Sequence, residues 1–111
     1  MENEDIYDKF IASRPEIERK GKTVPYTSAN GYMFTLLNKD GEIGIRLSKE
    51  DGQKFMEEHN TTIFKSHGAV MKDYVLVPLE MFDNVGLMSE YLAKSHAHVN
   101  SLPPKPTKKK K

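Results

Sequence analysis

The chain predicts an α+β fold of two layers: an antiparallel sheet of about five strands with helices packed on one side, in the order α-β-β-β-α-β-β-α. Three observations carry this. The stretch Gly31 to Leu47, GYMFTLLNKDGEIGIRL, places apolar runs at Tyr32–Leu37 and Ile43–Leu47 on either side of Asn38-Lys39-Asp40-Gly41, where Gly41 can take the positive φ of a short hairpin loop. Both ends of the chain carry apolar stripes at helical spacing, which supply cover for a sheet. Between them Tyr74 and Leu76 alternate with Val75 and Val77, so both faces of that strand are apolar, as in an internal strand covered on both sides or one packed at an interface.

In chain order, Asn3 is an N-cap candidate followed by Glu4 and Asp5, whose carboxylates suit a first helical turn. Ile6, Tyr7, Phe10 and Ile11 form an amphipathic stripe, and Pro15 disfavours helix at Arg14, so helix 1 is expected over about 4–13. An edge strand is expected at 21–27, because Thr23 and Val24 favour a strand and Pro25 cannot donate to an inner ladder. Asn30-Gly31 marks a tight turn, which extends the hairpin to a three-stranded meander. Along its last strand Ile43, Ile45 and Leu47 point one way while Gly44 and Arg46 point the other.

Ser48 and Asp51 form an S-x-x-D capping pattern for a helix that reaches about Glu58, carries Phe55 and Met56 on one face, and stops at Asn60. Strands at 61–64 and 69–77 follow, joined around Ser66-His67-Gly68 and ended by Pro78. Asp83 or Asn84 caps the last helix, whose stripe of Val85, Met88, Leu92, Ser95, Val99 and Leu102 makes it the main lid on the sheet. It ends at Pro103-Pro104. The domain is therefore read as residues 1–102, with 103–111 a disordered Lys/Pro-rich tail lacking apolar anchors.

Composition narrows the function classes. At 111 residues the chain is one domain with a sizeable core. It contains no cysteine, which excludes disulfides and thiolate chemistry and suits a reducing cytosol. No apolar run approaches the roughly 18–20 residues of a membrane span, and the acidic start differs from a signal peptide, so a cytoplasmic protein with no membrane partner is expected. The formal net charge is +1. Five of the seventeen basic residues (Lys105, Lys108, Lys109, Lys110 and Lys111) lie in the last seven positions, so residues 1–104 hold twelve basic against sixteen acidic groups, a net of −4.

No catalytic constellation stands out. His59, His67, His96 and His98 form no H-x-x-x-H pair, and His96 and His98 lie about 200° apart on a helix, so ordinary structural or surface histidines are expected and no metal or cofactor. Ser66 beside His67 is sequence adjacency without the geometry of a triad, and no Gly-rich phosphate loop occurs. The chain is read as non-enzymatic.

The candidate interface consists of Tyr26, Tyr32, Phe34 and Arg46. Arg46 is aimed away from the core helices, either stacked among aromatics and available to a partner's carboxylate or spread over a solvated sheet. Tyr26, Tyr32, Met33 and Phe34 crowd one turn; most are expected in the core, and whichever fall on the uncovered sheet face make a patch that either pairs with another chain or aggregates, so homodimerisation through that face or an edge strand is expected. The lysine tail is the candidate nucleic-acid contact, either a solvating extension or a weak, salt-sensitive attraction to phosphate aided by Lys20 and Lys22.

In combination, Asn30-Gly31, Met33-Phe34, Arg46-Leu47, then Gly68, Met71, Tyr74 and Pro78 in order resemble the N-terminal domain of the TfoX/Sxy family, in its short single-domain bacterial members. The similarity extends from about Glu16 to Thr107. It implies a two-layer α+β fold, no known catalytic residues, and a role as an accessory of transcription regulation; full-length members regulate competence genes and carry a second domain. More distantly the chain is similar to the MmcQ/YjbR family, described as DNA-binding. Together these readings imply a small non-catalytic interaction module with an unknown protein partner, or alternatively a weak nucleic-acid binder led by the tail.

Overall fold

In a computed structural model, which describes residues 2–66 and 68–103, three helices lie against a five-stranded antiparallel sheet. The elements are α1 (Glu4–Ala12), β1 (Tyr26–Ala29), β2 (Tyr32–Leu37), β3 (Ile43–Arg46), α2 (Lys49–His59), β4 (Ile63–Ser66), β5 (Ala69–Val77), a 3₁₀ turn (Leu79–Asp83) and α3 (Val85–Ser101). Strand order is β1-β2-β3-β5-β4, which leaves β5 internal, as its two apolar faces require. The tail lysines Lys105 and Lys108 to Lys111, and His67, lie outside the described residues.

Local chemistry fixes most boundaries. Ser48 Oγ accepts from Asp51 N at 3.1 Å and starts α2, and Asn60, left-handed at φ 54°, stops it. Asn84 Oδ1 accepts from Leu87 N at 3.1 Å and starts α3. Asn30 (φ 57°) and Gly31 (φ 83°) make the β1–β2 turn, and Gly41 (φ 79°) closes the β2–β3 turn beneath Asn38, whose side chain accepts from Asp40 N and Glu42 N.

Two expectations are corrected. The first strand lies at 26–29 rather than 21–27: Gly21 to Val24 form a turn after which Lys20 and Tyr26 exchange backbone hydrogen bonds of 2.8 and 3.0 Å. β-propensity at Thr23 and Val24 was outweighed by Gly21, whose φ of 89° serves that turn. Asn3 occupies the N-cap position of α1 without capping it. At φ 66° its side chain turns away from the helix, and Nδ2 donates to Gly41 O at 2.7 Å, fastening α1 to the hairpin turn. A 3₁₀ turn after Pro78 was not anticipated.

The main core lies between sheet and helices: Tyr7, Phe10 and Ile11 of α1, Phe55 of α2 and Met88, Leu92 and Val99 of α3 meet Phe34, Leu37, Ile43, Ile45, Val75 and Val77. Inside it Tyr7 Oη and Thr35 Oγ1 are 2.6 Å apart, and Thr35 Oγ1 and Thr27 Oγ1 are 2.7 Å apart, so three buried hydroxyls satisfy one another. Burial pushes the Tyr7 phenol well above its usual range. The Cα radius of gyration is 13.3 Å, the compactness expected of a domain of about 100 residues. No helix among the described residues is long and apolar enough to cross a membrane.

Candidate functional site

The sheet has a second face, and among the described residues no helix covers it. Leu36, Phe64 and Tyr74 form a small cluster there, edged by half-buried Val24, Tyr26, Met33, Met71 and Leu76. Two irregularities build this face. The β1–β2 register passes from Thr27↔Thr35 to Ser28↔Met33, so Phe34 is an extra residue. As a result Phe34 and Thr35, although adjacent, both meet helices: Phe34 stacks on His96 of α3 (5.3 Å, 18°), and Thr35 reaches Tyr7. Met33 and Leu36 are left on the open face. Phe64 sits at a similar irregularity in β4, and its ring crosses β5 to lie over Gly44 of β3. The sheet curls accordingly, and Asn38 Nδ2 donates to Lys65 O at 2.9 Å, tying β4 to the hairpin turn.

The sequence-derived interface residues separate. Phe34 is fully buried in the helix-side core, so it takes no part in an exposed patch; the bulge that turns it inward breaks the strand alternation on which its placement rested. Tyr26 is half-buried on the open face. Tyr32 packs against the main core and donates from its hydroxyl to Pro103 O at 2.7 Å. Arg46 pairs across the sheet with Tyr74, its guanidinium carbon 5.3 Å from the centre of the Tyr32 ring. Asp73, left-handed at φ 71° inside β5, brings a carboxylate oxygen to 3.7 Å from Arg46 Nη2. Arg46 Nε is shielded and makes no hydrogen bond. Tyr74 Oη donates to Met33 O, and burial pushes the Tyr74 phenol up to about 12 even though Arg46 pulls it down.

Met33, one of the residues crowding the β1–β2 turn and not among the four interface candidates, is the centre of this arrangement. On one side Lys20 Nζ donates to Ser28 Oγ at 3.1 Å, and Ser28 is the cross-strand partner of Met33; on the other side lies β3 with Arg46. The adjacency Met33-Phe34 was visible in the sequence, but which of the two faces out depends on the bulge.

Charge is divided between the layers. Segments 2–19, 49–60 and 78–103, which contain the helices, hold thirteen acidic and six basic residues, a net of −7. Segments 20–48 and 61–77, which contain the strands, hold six basic and three acidic residues, a net of +3. The mild negative charge of the body therefore combines net-basic strand segments with net-acidic helical segments.

Several other polar groups are committed to structure. His59 Nε2 lies 3.0 Å from Tyr91 Oη, with its ring against Phe55, joining α2 to α3. Asn30 Nδ2 donates to Val99 O and Leu102 O, both at 2.9 Å, and caps the end of α3. Ser95 Oγ donates to Arg46 O and tethers α3 to β3. A hollow of about 460 Å³ beside α2, lined by Lys49, Gln53, Met56, Ile63, Asp73 and Val75, includes the carboxylate that faces Arg46. Among the described residues no group of three His, Cys, Asp or Glu is placed to hold a metal ion. The chain matches no family model, no curated protein and no solved structure.

Proposed function

We propose that this chain is a small non-catalytic interaction module that receives a protein partner on the open face of its sheet. By its resemblance to the TfoX/Sxy N-terminal domain it acts as an accessory of transcription regulation, in the cytoplasm, where a chain without cysteine loses nothing to a reducing environment. The observation that supports this is the cluster Leu36, Phe64 and Tyr74, capped by no helix among the described residues and edged by half-exposed Met33, Met71, Leu76 and Tyr26. An apolar patch with cations at its margin is the composition of a docking surface. A second copy of this chain is one candidate occupant.

A second reading is weak nucleic-acid binding by Lys105 and Lys108 to Lys111 together with Lys20 and Lys22, favoured by the basic charge of the strand segments. Duplex-DNA affinity that falls steeply between about 50 and 200 mM salt, and is abolished by removing residues 105–111, supports it.

One experiment separates the two. A photo-crosslinking amino acid is placed at Met71 on the open face and, in a second protein, at exposed Glu50 on α2. Protein adducts from position 71 alone support the docking face, and an adduct of twice the chain's mass identifies a second copy as the occupant. Equal adducts from both positions, none from either, or adducts removed by nuclease overturn the protein-docking reading.

A further inference from the structure

We infer that the occupant of the open sheet face is an acidic amphipathic segment of a partner protein, one in which aspartates and glutamates flank apolar side chains. This rests on the reading of that face as a docking surface, and deepens it by naming the partner's chemistry.

Charge complementarity carries the inference. The strand segments are net +3 while the helical segments are net −7, and two of the strand-segment cations stand beside the open-face cluster: Lys20 through Ser28, the partner of Met33, and Arg46 as the cross-strand partner of Tyr74. The cations are positioned for a partner's carboxylates. Lys20 binds neutral Ser28 on one side of Met33, exposed Lys22 follows in the same turn, and Arg46 on the other side faces Asp73 across 3.7 Å. That separation is longer than a hydrogen bond, so a bidentate carboxylate from a partner can bring guanidinium contacts that Asp73 does not make. The apolar surface beside the cations is methionine and aliphatic: Met33 and Val24 on the β1–β2 side, and Met71 and Leu76 on β5. Methionine adapts its shape to apolar side chains of varied form.

Two other occupants fit less well. Single-stranded nucleic acid needs several exposed rings on which successive bases stack, yet Phe64 and Tyr74 are 0% and 5% exposed, which leaves half-buried Tyr26 to the described cluster. A second copy presented through the same face would set Lys20, Lys22 and Arg46 against their own counterparts. Presented through its acidic helices, it would make a head-to-tail contact that closes no symmetric dimer.

The test uses the full chain with labelled methionine methyls and three synthetic peptides of one length and one apolar spacing, flanked by Glu/Asp, by Gln/Ser or by Lys. The acidic peptide is expected to shift the Met33 and Met71 methyls, leave Met88 in place, and bind about tenfold tighter than the neutral one, with the Lys peptide weakest. Lys22→Glu, on an exposed turn where folding is not at stake, weakens it about two- to fivefold, and Lys20→Glu does the same. Equal binding of all three peptides at Met33 and Met71 leaves the docking face standing and overturns the acidic partner. No methyl shift with any peptide overturns both. A single-stranded oligonucleotide that shifts the same methyls at lower concentration than the acidic peptide, or a chain whose mass is already doubled, also overturns the inference.

Discussion

The ring of Phe64, from the edge strand β4, lies directly over Gly44 on β3, two strands away. Contact at that range requires the sheet to curl, and it seals the open-face cluster without a helix. Gly44 is constrained by space and not by backbone conformation, since its φ is not positive. Gly44→Ala places a methyl against the ring and is expected to destabilise by about 1–3 kcal/mol, the range for overpacking. Thermal unfolding of Gly44→Ala alone and combined with Phe64→Leu checks this: the pair should recover part of the loss.

Asn30 joins the β1–β2 turn to the end of α3 through two carbonyls while sitting at φ 57°. Asn30→Gly keeps the backbone geometry and loses both hydrogen bonds; Asn30→Ala loses the bonds and adds left-handed strain. The expected order of stability is wild type, then Gly, then Ala, with the Gly variant lower than wild type by about 1–2 kcal/mol. Denaturant midpoints report it directly.

The buried phenols give the fold an alkaline limit. Tyr74 rises from a usual value of 10.0 to about 12, and Tyr7 is raised further, both chiefly by burial. A group whose folded pKa is raised contributes stability that is complete below its unfolded pKa and lost as pH climbs through the folded one. Melting temperature is therefore expected to fall between pH 10 and about 12. Tyr74→Phe, less stable at neutral pH for want of the bond to Met33 O, should fall less steeply over that window.

The capping serine at 48 is a simpler case. Ser48→Ala removes the acceptor for Asp51 N and is expected to cost about 1 kcal/mol, with Ser48→Asp recovering most of it in a denaturant titration.

These residues also show what the sequence carries in legible form. Hairpin, caps and helices were readable because each rests on local chemistry: Gly41 and Asn60 in left-handed turns, Ser48 and Asn84 as N-caps, and the Met88, Leu92, Ser95 and Val99 stripe. The internal place of β5 was readable from its two apolar faces. The first strand lies later than Thr23 and Val24 suggest because left-handed Gly21 turns the chain there, and the local Lys20–Tyr26 bridge closes that turn. Which of Met33 and Phe34 faces outward depends on the hairpin register, and the bulge that sets it, turning Phe34 inward and Met33 outward, is not legible in the sequence. The division of charge between layers emerges only once strands and helices are segregated in space.

The central claim, that the Leu36–Phe64–Tyr74 side of the sheet is open, is tested most directly by a soluble gadolinium chelate added to the dilute, free full-length chain with labelled methionine methyls. Met33 and Met71 are expected to relax several times faster than Met88, which is 1% exposed behind the sheet. Relaxation of Met33 and Met71 as slow as that of Met88 would contradict the claim, because the face would then already be covered.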